Sequence, residues 1–228
     1  MKPPAIVAIL IVVCATLGLA GCGTTYRYEL TPSVDTPDGV KTGFNVVEVN
    51  YRDGGSTRIT GEALFLDLGP GKRPLIALLT KTMPPRRPDT AWRRGEGWEE
   101  NQPSSILTRV YGQKLPQMDI VDAASRFKNY RGPRAIETFD LPDLVTFGDI
   151  DDPKSVRLVD RDNIAAALGD GVSWRSMTLE ITNEPLTTGI ETKLAWLPNQ
   201  RGSLVFTGQR DLVHPERNLN SYSFILGN

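Results

Sequence analysis

Apolar and polar residues alternate with a period of two along much of the first half of the chain. Within residues 40–51, Val47, Val49 and Tyr51 fall on one side of an extended chain. Such alternation is typical of a β-strand that buries one face against a core. Residues 36–39 (Thr-Pro-Asp-Gly) place proline and glycine where a tight turn requires them. The pattern therefore predicts that this strand follows another, over residues 26–34, through a turn.

The later segments add further strands and a few short helices. Strands are predicted at 57–68, 74–79, 144–147, 156–159, 172–182, 203–207 and 222–226, and helices at 105–111, 119–128, 164–168 and 188–197. Asp162 is placed to cap the third helix, and Thr188 and Glu191 have the spacing of a capping box for the last. The two closing strands are expected to pair with each other. The pattern predicts a β-dominated α+β fold, an antiparallel meander with short helices, and a β-sandwich is the alternative.

Cysteine and histidine are almost absent from the chain. Among its 228 residues there are two cysteines and one histidine, and both cysteines, Cys14 and Cys22, lie within the first 22 residues. The remainder can form no disulfide framework and no thiolate or multi-histidine metal site. The sequence also has no dinucleotide-binding fingerprint and no P-loop, so no cofactor is predicted.

The first 22 residues are organised like an export signal. Lys2 precedes an apolar run over residues 5–17, which is shorter than the about 20 residues that a membrane-spanning helix needs. The run ends in Leu-Ala-Gly-Cys at 19–22, which resembles the lipobox of bacterial lipoprotein signal peptides at every position. The resemblance implies cleavage between Gly21 and Cys22, and acylation of Cys22, which would anchor the chain in a membrane. An ordinary secretory signal or a degenerate membrane-spanning start is the alternative.

The lipobox resemblance also sets the expected organisation and location. It implies a signal peptide over residues 1–21 and a lipidated tether over 22–25, with the rest of the chain facing the periplasm of a bacterial cell envelope. The length of residues 26–228 favours one globular domain, and two domains are the alternative. Gly23 stands where an aspartate would favour retention in the inner membrane, so the outer membrane is favoured. Nucleic acid is excluded as a partner, because export would separate it from the protein.

Four stretches of the chain are distinctive as strings, among them GEALFLDLG from residue 61 and LVTFGDIDDPKSVRLV from residue 144. The four cover residues 26–51, 61–79, 144–159 and 178–197, a little under half of the chain that remains after processing. They resemble a family of uncharacterised proteobacterial envelope proteins. The resemblance implies a shared fold and carries over no activity, ligand or catalytic residue.

Residues 83–105 contain four prolines, which predicts an irregular loop. Trp92 is followed by Arg93 and Arg94, and Trp98 lies among glutamates. A long irregular loop with tryptophans is typical of a protein contact surface, so these residues are candidates for contact with a periplasmic protein. The alternative is that both indoles hold the loop against its own domain.

A cluster of basic residues follows this loop, and it consists of Arg126, Lys128, Arg131 and Arg134. No acid occurs within residues 123–136, whereas residues 137–152 contain six acids and no base. A basic patch strengthens the membrane attachment that a lipid anchor provides, so the cluster is a candidate contact for anionic headgroups. The alternative is that the cluster balances the acidic run within the same molecule.

Two other motifs are candidates for chemistry. Asp149, Asp151 and Asp152 offer carboxylates to a hard cation such as calcium, but the segment lacks the glycine and the distal glutamate of an EF-hand loop. The alternative is a turn in which the aspartates bond their own backbone. His214 would be the base of any serine-based triad, but the chain has no Gly-x-Ser-x-Gly elbow, and a solvated turn histidine is the alternative. No catalytic residue and no metal site is assigned.

Two functional hypotheses follow. The favoured one is a non-catalytic, lipid-anchored envelope protein that binds or supports a periplasmic partner through loops such as 83–105. The other is an envelope hydrolase that uses carboxylates alone, since such acids meet only in space and leave no sequence spacing. Paired inward carboxylates in an apolar-walled cleft would favour the hydrolase. An exposed Trp92 or Trp98 on a flat surface would favour the binding protein.

Overall fold

Antiparallel strands dominate the fold. The computed structural model describes residues 23–52, 56–79, 106–107, 110–112, 120–137, 140–205 and 215–227. Within these residues, seven strands form a first sheet and four form a second. The short helices are α1 (Ile120–Ser125), α2 (Ile164–Leu168) and α3 (Ile190–Lys193), with 3-10 turns beside them. The predicted β-dominated α+β class with an antiparallel sheet is therefore confirmed.

Each sheet has a simple strand order. The first sheet contains β1 (Gly23–Thr36), β2 (Gly39–Thr42), β3 (Asn45–Arg52), β4 (Thr57–Glu62), β7 (Arg134–Ala135), β10 (Ser173–Thr182) and β11 (Ile225–Leu226). Its order is β11-β4-β3-β1-β10-β7, and β2 pairs with the last residues of β1. The second sheet contains β5 (Leu64–Leu66), β6 (Leu75–Ala77), β8 (Leu144–Phe147) and β9 (Val156–Leu158), in the order β5-β6-β8-β9.

β1 is the long central strand of the first sheet. One side pairs with β10, and the other pairs with β3 and then with β2. The turn predicted at 36–39 joins β1 to β2, with the Thr36 hydroxyl donating to the Gly39 carbonyl at 2.7 Å. The register that this turn sets, with Thr36 opposite Gly39, continues without a shift to Gly23 opposite Arg52. Every second residue of β1 is buried, as the alternation predicts.

Two hydrophobic clusters hold the described residues together. The inter-sheet core joins the first sheet, for example through Tyr28 and Leu179, to the second sheet through Leu66 and Leu144. The outer core lies on the other face of the second sheet and includes Ile76, Phe147, Val145, Leu194, Leu204 and Phe224. The second sheet is therefore buried on both faces. The strand predicted at 57–68 is split at Ala63 into β4 and β5, which belong to different sheets.

The cap predicted for α2 is wrong. Asp162 does not cap this helix, because a 3-10 turn over Arg161–Asn163 precedes it, and Asn163 stands at the cap position without a side-chain bond. Asp160 caps the 3-10 turn instead, and its carboxylate accepts from the Asp162 amide at 3.0 Å. The capping aspartate is therefore Asp160, two residues earlier than predicted, and it caps the 3-10 turn and not α2.

The capping box predicted at 188–191 is also wrong. Gly189 occupies the cap position in the left-handed conformation (φ 109°) and offers no side chain. The first amide of α3, that of Ile190, donates to a Glu62 carboxylate oxygen at 2.7 Å instead. The partner therefore comes from β4, far away in the sequence, and α3 has only four residues.

In the described residues, which include only 203–205 of the strand predicted at 203–207, the two closing strands do not form the predicted pair. β11 pairs with the Gly61–Glu62 end of β4, and so extends the first sheet. Ser203 forms only an isolated bridge with Asn220. Hydrogen bonds between the Ala63 amide and the Phe224 carbonyl and between the Leu79 amide and the Ser223 carbonyl tie the last described segment to both sheets.

Candidate membrane-facing surface

The start of β1 lies directly after Cys22, the cysteine of the predicted lipobox. Gly23 is the first residue of β1 and is already opposite Arg52, while Thr24 is opposite Tyr51 and Thr25 is opposite Asn50. Residues 23–25, which the sequence assigned to a tether, are therefore strand residues. Because one residue of strand rises about 3.3 Å, the covalent path from Cys22 to the first paired residue is only a few ångströms long.

Aromatic rings cover this end of the sheet on its core side. The Phe127 ring is fully buried, 5.2 Å from the Tyr26 ring and 6.1 Å from the Tyr111 ring between centroids. Tyr130 stacks on Tyr111 at 4.2 Å. Phe127 belongs to a 3-10 turn (Arg126–Asn129) that continues α1, and with the buried Ala124 it forms the apolar face that the sequence predicted for this segment. The turn is thereby fixed beside the start of β1.

The tyrosines of this region are core residues rather than proton-transfer groups. Burial raises the pKa of both Tyr26 and Tyr28 above the ordinary tyrosine value, and the neighbouring Tyr51 adds to the effect. Burial likewise raises the pKa of Tyr111. These phenols are therefore protonated and neutral throughout the physiological range, and they contribute to packing.

All four members of the predicted basic cluster are exposed. Arg126 and Lys128 flank the buried Phe127. The Arg131 guanidinium donates to the carbonyl of Lys128 and, at 2.7 Å, to that of Tyr130. Arg134 lies in the edge strand β7, where its guanidinium carbon stands 5.3 Å from the centre of the Tyr111 ring. The structure therefore brings these residues to one region. Arg131 and Arg134 make local contacts with the protein, whereas Arg126 and Lys128 are exposed on either side of Phe127.

Among the described residues, no ion pair joins the basic cluster to the six acids of residues 137–152. Asp140 is buried, and Asp143 lies near Arg161. Burial lowers the pKa of Arg161, and the Asp143 carboxylate opposes this effect. The remaining aspartates lie in a turn of their own. The described residues thus offer no support for the alternative in which the acidic run balances the cluster.

Two further basic residues at this end of the sheet were missed from the sequence. Arg52 lies opposite Gly23, and Arg58 lies opposite Asn50, which is itself opposite Thr25. Both side chains are exposed, and they lie on the side of the sheet away from Phe127. The signal was available, because the turn at 36–39 sets the register that puts residue 52 beside residue 23.

The aspartates of the calcium candidate form a turn. Asp149 accepts from the Asp151 amide and Asp152 from the Lys154 amide, each at 3.0 Å. The Ser155 hydroxyl donates to the carbonyls of Asp149 and Asp152, each at 2.7 Å. No group of three metal-binding side chains occurs in the part of the chain that the structure describes. The local geometry agrees with the alternative, a turn whose aspartates bond their own backbone.

Three of the described glutamates serve local structure. Glu62 is buried, and its carboxylate caps α3, while the Asn45 amide donates to its carbonyl at 2.6 Å. Glu29 and Glu180 lie opposite each other on the side of the first sheet away from the core. Glu29 accepts from the Thr31 hydroxyl and Glu180 from the Gly132 amide. None of these contacts places two carboxylates in an apolar-walled cleft.

Several predicted site residues lie outside the described residues. They are Gly21 and Cys22 of the cleavage site, Trp92, Arg93, Arg94 and Trp98 of loop 83–105, and His214. The described residues include no helix with the length and apolar character needed to cross a membrane. The chain matches no known family model, no curated protein and no solved structure.

Proposed function

We propose that this chain is a lipid-anchored protein of the bacterial cell envelope, exported, acylated at Cys22 and non-catalytic. In this role the domain binds or supports a periplasmic protein at a membrane surface, with the outer membrane favoured. The observation that carries the proposal is the start of β1 at Gly23, one residue after the lipobox cysteine. Because Gly23 is already paired with Arg52, no flexible arm separates an acyl anchor from the folded sheet.

The short connection favours a role that depends on position. A flexible linker reaches about 5–6 Å times the square root of its length, so a domain on a long linker samples a wide volume. Here the linker has no free residue beyond Cys22 itself, and the domain is held against the headgroups. A partner has to reach the protein at that surface, as expected for a scaffold or docking component. Loop 83–105, with Trp92 and Trp98, is the proposed contact.

The anchor is tested by growth with a labelled fatty acid followed by purification of the protein. We expect label on the wild-type protein and on a Cys14→Ala variant, because Cys14 leaves with the signal peptide. We expect none on Cys22→Ala. An unlabelled wild type, or a Cys22→Ala variant that keeps its label, would refute the lipoprotein assignment.

The choice between inner and outer membrane is tested by separating the two membranes on a density gradient and locating the protein in the fractions. The wild-type protein is expected with the outer membrane, and Gly23→Asp is expected to shift to the inner membrane. Gly23 is exposed, so a side chain added at this position does not disturb core packing. Recovery of wild type with the inner membrane would overturn this part of the proposal.

The binding role is tested by photo-crosslinking in intact cells. A photoreactive amino acid placed at Trp92 or Trp98 is expected to capture one envelope protein, identified by mass spectrometry. Phe44, which is 61% exposed between β2 and β3, provides the matched control with an aromatic residue elsewhere on the surface. If positions 92 and 98 capture nothing beyond the control, loop 83–105 is not the contact surface.

A further inference from the structure

We infer that the end of the domain beside Cys22 binds the phosphates of anionic phospholipids with cations on both sides of β1, and that this contact orients the domain on the membrane. The cations are Arg52, Arg58, Arg126 and Lys128, called here the anchor-proximal cations. The inference rests on the proposed acylation of Cys22 and goes beyond it, because an acyl anchor alone holds the domain without orienting it.

The strand register supplies the first pair of cations. Gly23 is opposite Arg52 in β3, and Thr25 is aligned through Asn50 with Arg58 in β4. Neighbouring strands lie about 4.8 Å apart. The backbone of Arg52 is therefore one strand away from the start of β1, and the backbone of Arg58 is two strands away. The Arg52 Nε donates to the Asn50 side chain at 2.9 Å, which extends the guanidinium along the outer side of the sheet.

The aromatic packing supplies the second pair. Phe127 is buried against Tyr26, which is three residues after Gly23, with 5.2 Å between ring centroids. Arg126 and Lys128 flank Phe127 in the 3-10 turn, and both are exposed. Since Tyr26 and Arg52 lie on opposite sides of the sheet, cations stand on both sides of the strand that carries the anchor.

The described acids near this end leave the charge balance of the described residues positive; Asp53, which follows Arg52 in the sequence, lies outside them. Glu48 is paired with Arg27 at 2.9 Å. Asp122 in the first turn of α1 is the exposed acid closest in sequence to the second pair. Arg131 and Arg134 are left out of the proposed surface, because Arg131 donates to two carbonyls of its own turn and Arg134 lies over Tyr111 at the sheet edge. Arg58 makes one exposed bond, to the Gly227 carbonyl at 3.2 Å, which a phosphate can replace.

A bilayer fits this arrangement. Charges act over about one Debye length, roughly 8–10 Å at physiological salt. An acyl anchor at Cys22 keeps the neighbouring cations within that distance of the headgroups. Contact with headgroups on both sides of β1 would keep the strands upright, with the Gly23 end on the membrane and the other end pointing away from it. The turn at 36–39 would then stand about 45 Å out, since β1 has 14 residues with a rise of about 3.3 Å each.

The test uses the complete acylated protein reconstituted into vesicles. The mature chain has no thiol besides Cys22, whose sulfur would be acylated, so a single introduced cysteine can be labelled. A fluorescent donor is placed at Thr57→Cys, beside the anchor, or at Asp38→Cys, in the turn; both residues are exposed. Energy transfer to an acceptor on lipid headgroups is measured in vesicles of phosphatidylcholine with and without phosphatidylglycerol.

With phosphatidylglycerol, we expect strong transfer from position 57 and weak transfer from position 38. The difference is expected to shrink in pure phosphatidylcholine, in high salt, and when all four anchor-proximal cations are changed to glutamine. The matched control changes Lys154, Arg157, Arg175 and Arg201 to glutamine, which removes the same charge from exposed positions elsewhere. This control is expected to behave like the wild type.

The outcomes separate this inference from the proposed function. If the protein is not acylated, it does not enter the vesicles, and the proposed function fails together with this inference. If it is acylated and inserted, but the difference between positions 57 and 38 is the same in neutral vesicles or in the fourfold variant, the headgroup inference alone is overturned. Circular dichroism of the fourfold variant is the control for folding, and its spectrum is expected to match that of the wild type.

Discussion

The inter-sheet core and the outer core are enclosed by different kinds of structure. Long alternating strands, above all β1, β3 and β10, contribute the first sheet's side chains to the inter-sheet core. The outer core is closed by short turns and the four-residue α3, which are held by single long-range contacts such as the bond from the Ile190 amide to Glu62. The Trp196 indole nitrogen likewise donates to the Ile150 carbonyl at 3.0 Å. A strand is held in place by many backbone hydrogen bonds to its neighbours, whereas each segment of the outer core is held by a few side-chain contacts.

The largest expected effect comes from Phe224→Ala. This ring is fully buried in the outer core between Phe147 and Trp196, and its loss leaves a cavity. The free energy of unfolding should fall by about 3–5 kcal/mol. Hydrogen exchange is expected to show the loss of protection first at Ile190 and Leu194. Leu179→Ala, a fully buried residue of the inter-sheet core, serves as the control and should lower protection across the sheet. A uniform loss in Phe224→Ala would show that the two cores do not differ.

Alkaline pH should act on the inter-sheet core. Burial raises the pKa of Tyr26 and Tyr28, so above about pH 10 the unfolded chain loses protons that the folded chain keeps. The free energy of unfolding then falls as pH rises, by about 1.4 kcal/mol per pH unit for each tyrosine. Denaturant titrations between pH 9 and about pH 11 measure this fall.

The double variant Tyr26→Phe/Tyr28→Phe should flatten the pH dependence. Tyr222→Phe should leave it unchanged, because this side chain is 71% exposed in the folded protein. An unaltered pH profile in the double variant would mean that the buried phenols are not its source.

Removal of the Glu62 carboxylate tests a single outer contact. Glu62→Leu leaves the Ile190 amide without its acceptor, and we expect a loss of about 1–3 kcal/mol in the free energy of unfolding. Glu62→Gln keeps an acceptor oxygen and should recover most of the loss. Equal destabilisation by the two variants would indicate that the hydrogen bond contributes little. Chemical denaturation of both variants provides the comparison.

The smallest expected effect concerns the solvent side of the first sheet. Arg27 and Glu48 form a cross-strand ion pair at 2.9 Å, with side chains 35% and 25% exposed. A double-mutant cycle with alanine should give a coupling energy of about 0.2–1 kcal/mol that decreases with salt. A coupling as large as the effect of Glu62→Leu would contradict the view that the outer contacts are the sensitive ones.

The same contrast explains what could be predicted from the sequence. The alternation and the Thr-Pro-Asp-Gly turn predicted β1 and one strand over residues 40–51, because a strand face and a tight turn are local properties. The structure divides that second strand into β2 and β3 on either side of Gly43 and Phe44. The capping of α3 was predicted wrongly, because the acceptor is Glu62, which lies 128 positions earlier. The split at Ala63 was also hidden, since both halves alternate and only tertiary packing assigns them to different sheets.

The candidate surface was predicted in part. The basic residues around Phe127 were visible as a run without acids, but nothing local linked that run to the start of β1. Arg52 was predictable once the turn had set the register of the hairpin. Arg58 was not, because its position depends on where β4 pairs with β3 beyond residues 53–55.

The place of β1 in the sheet has a consequence for the order of folding. β1 is close in sequence to β2 and β3, but its other side pairs with β10, and the Asp35–Arg175 contact closes a separation of 140 residues. Pairing at such sequence distance is slow, because a large loop must close first. Until residues 173–182 have paired with it, β1 presents an open edge to other chains. The strand that starts the domain is thus among the last to be completed, and the folding chain is exposed to aggregation on that side.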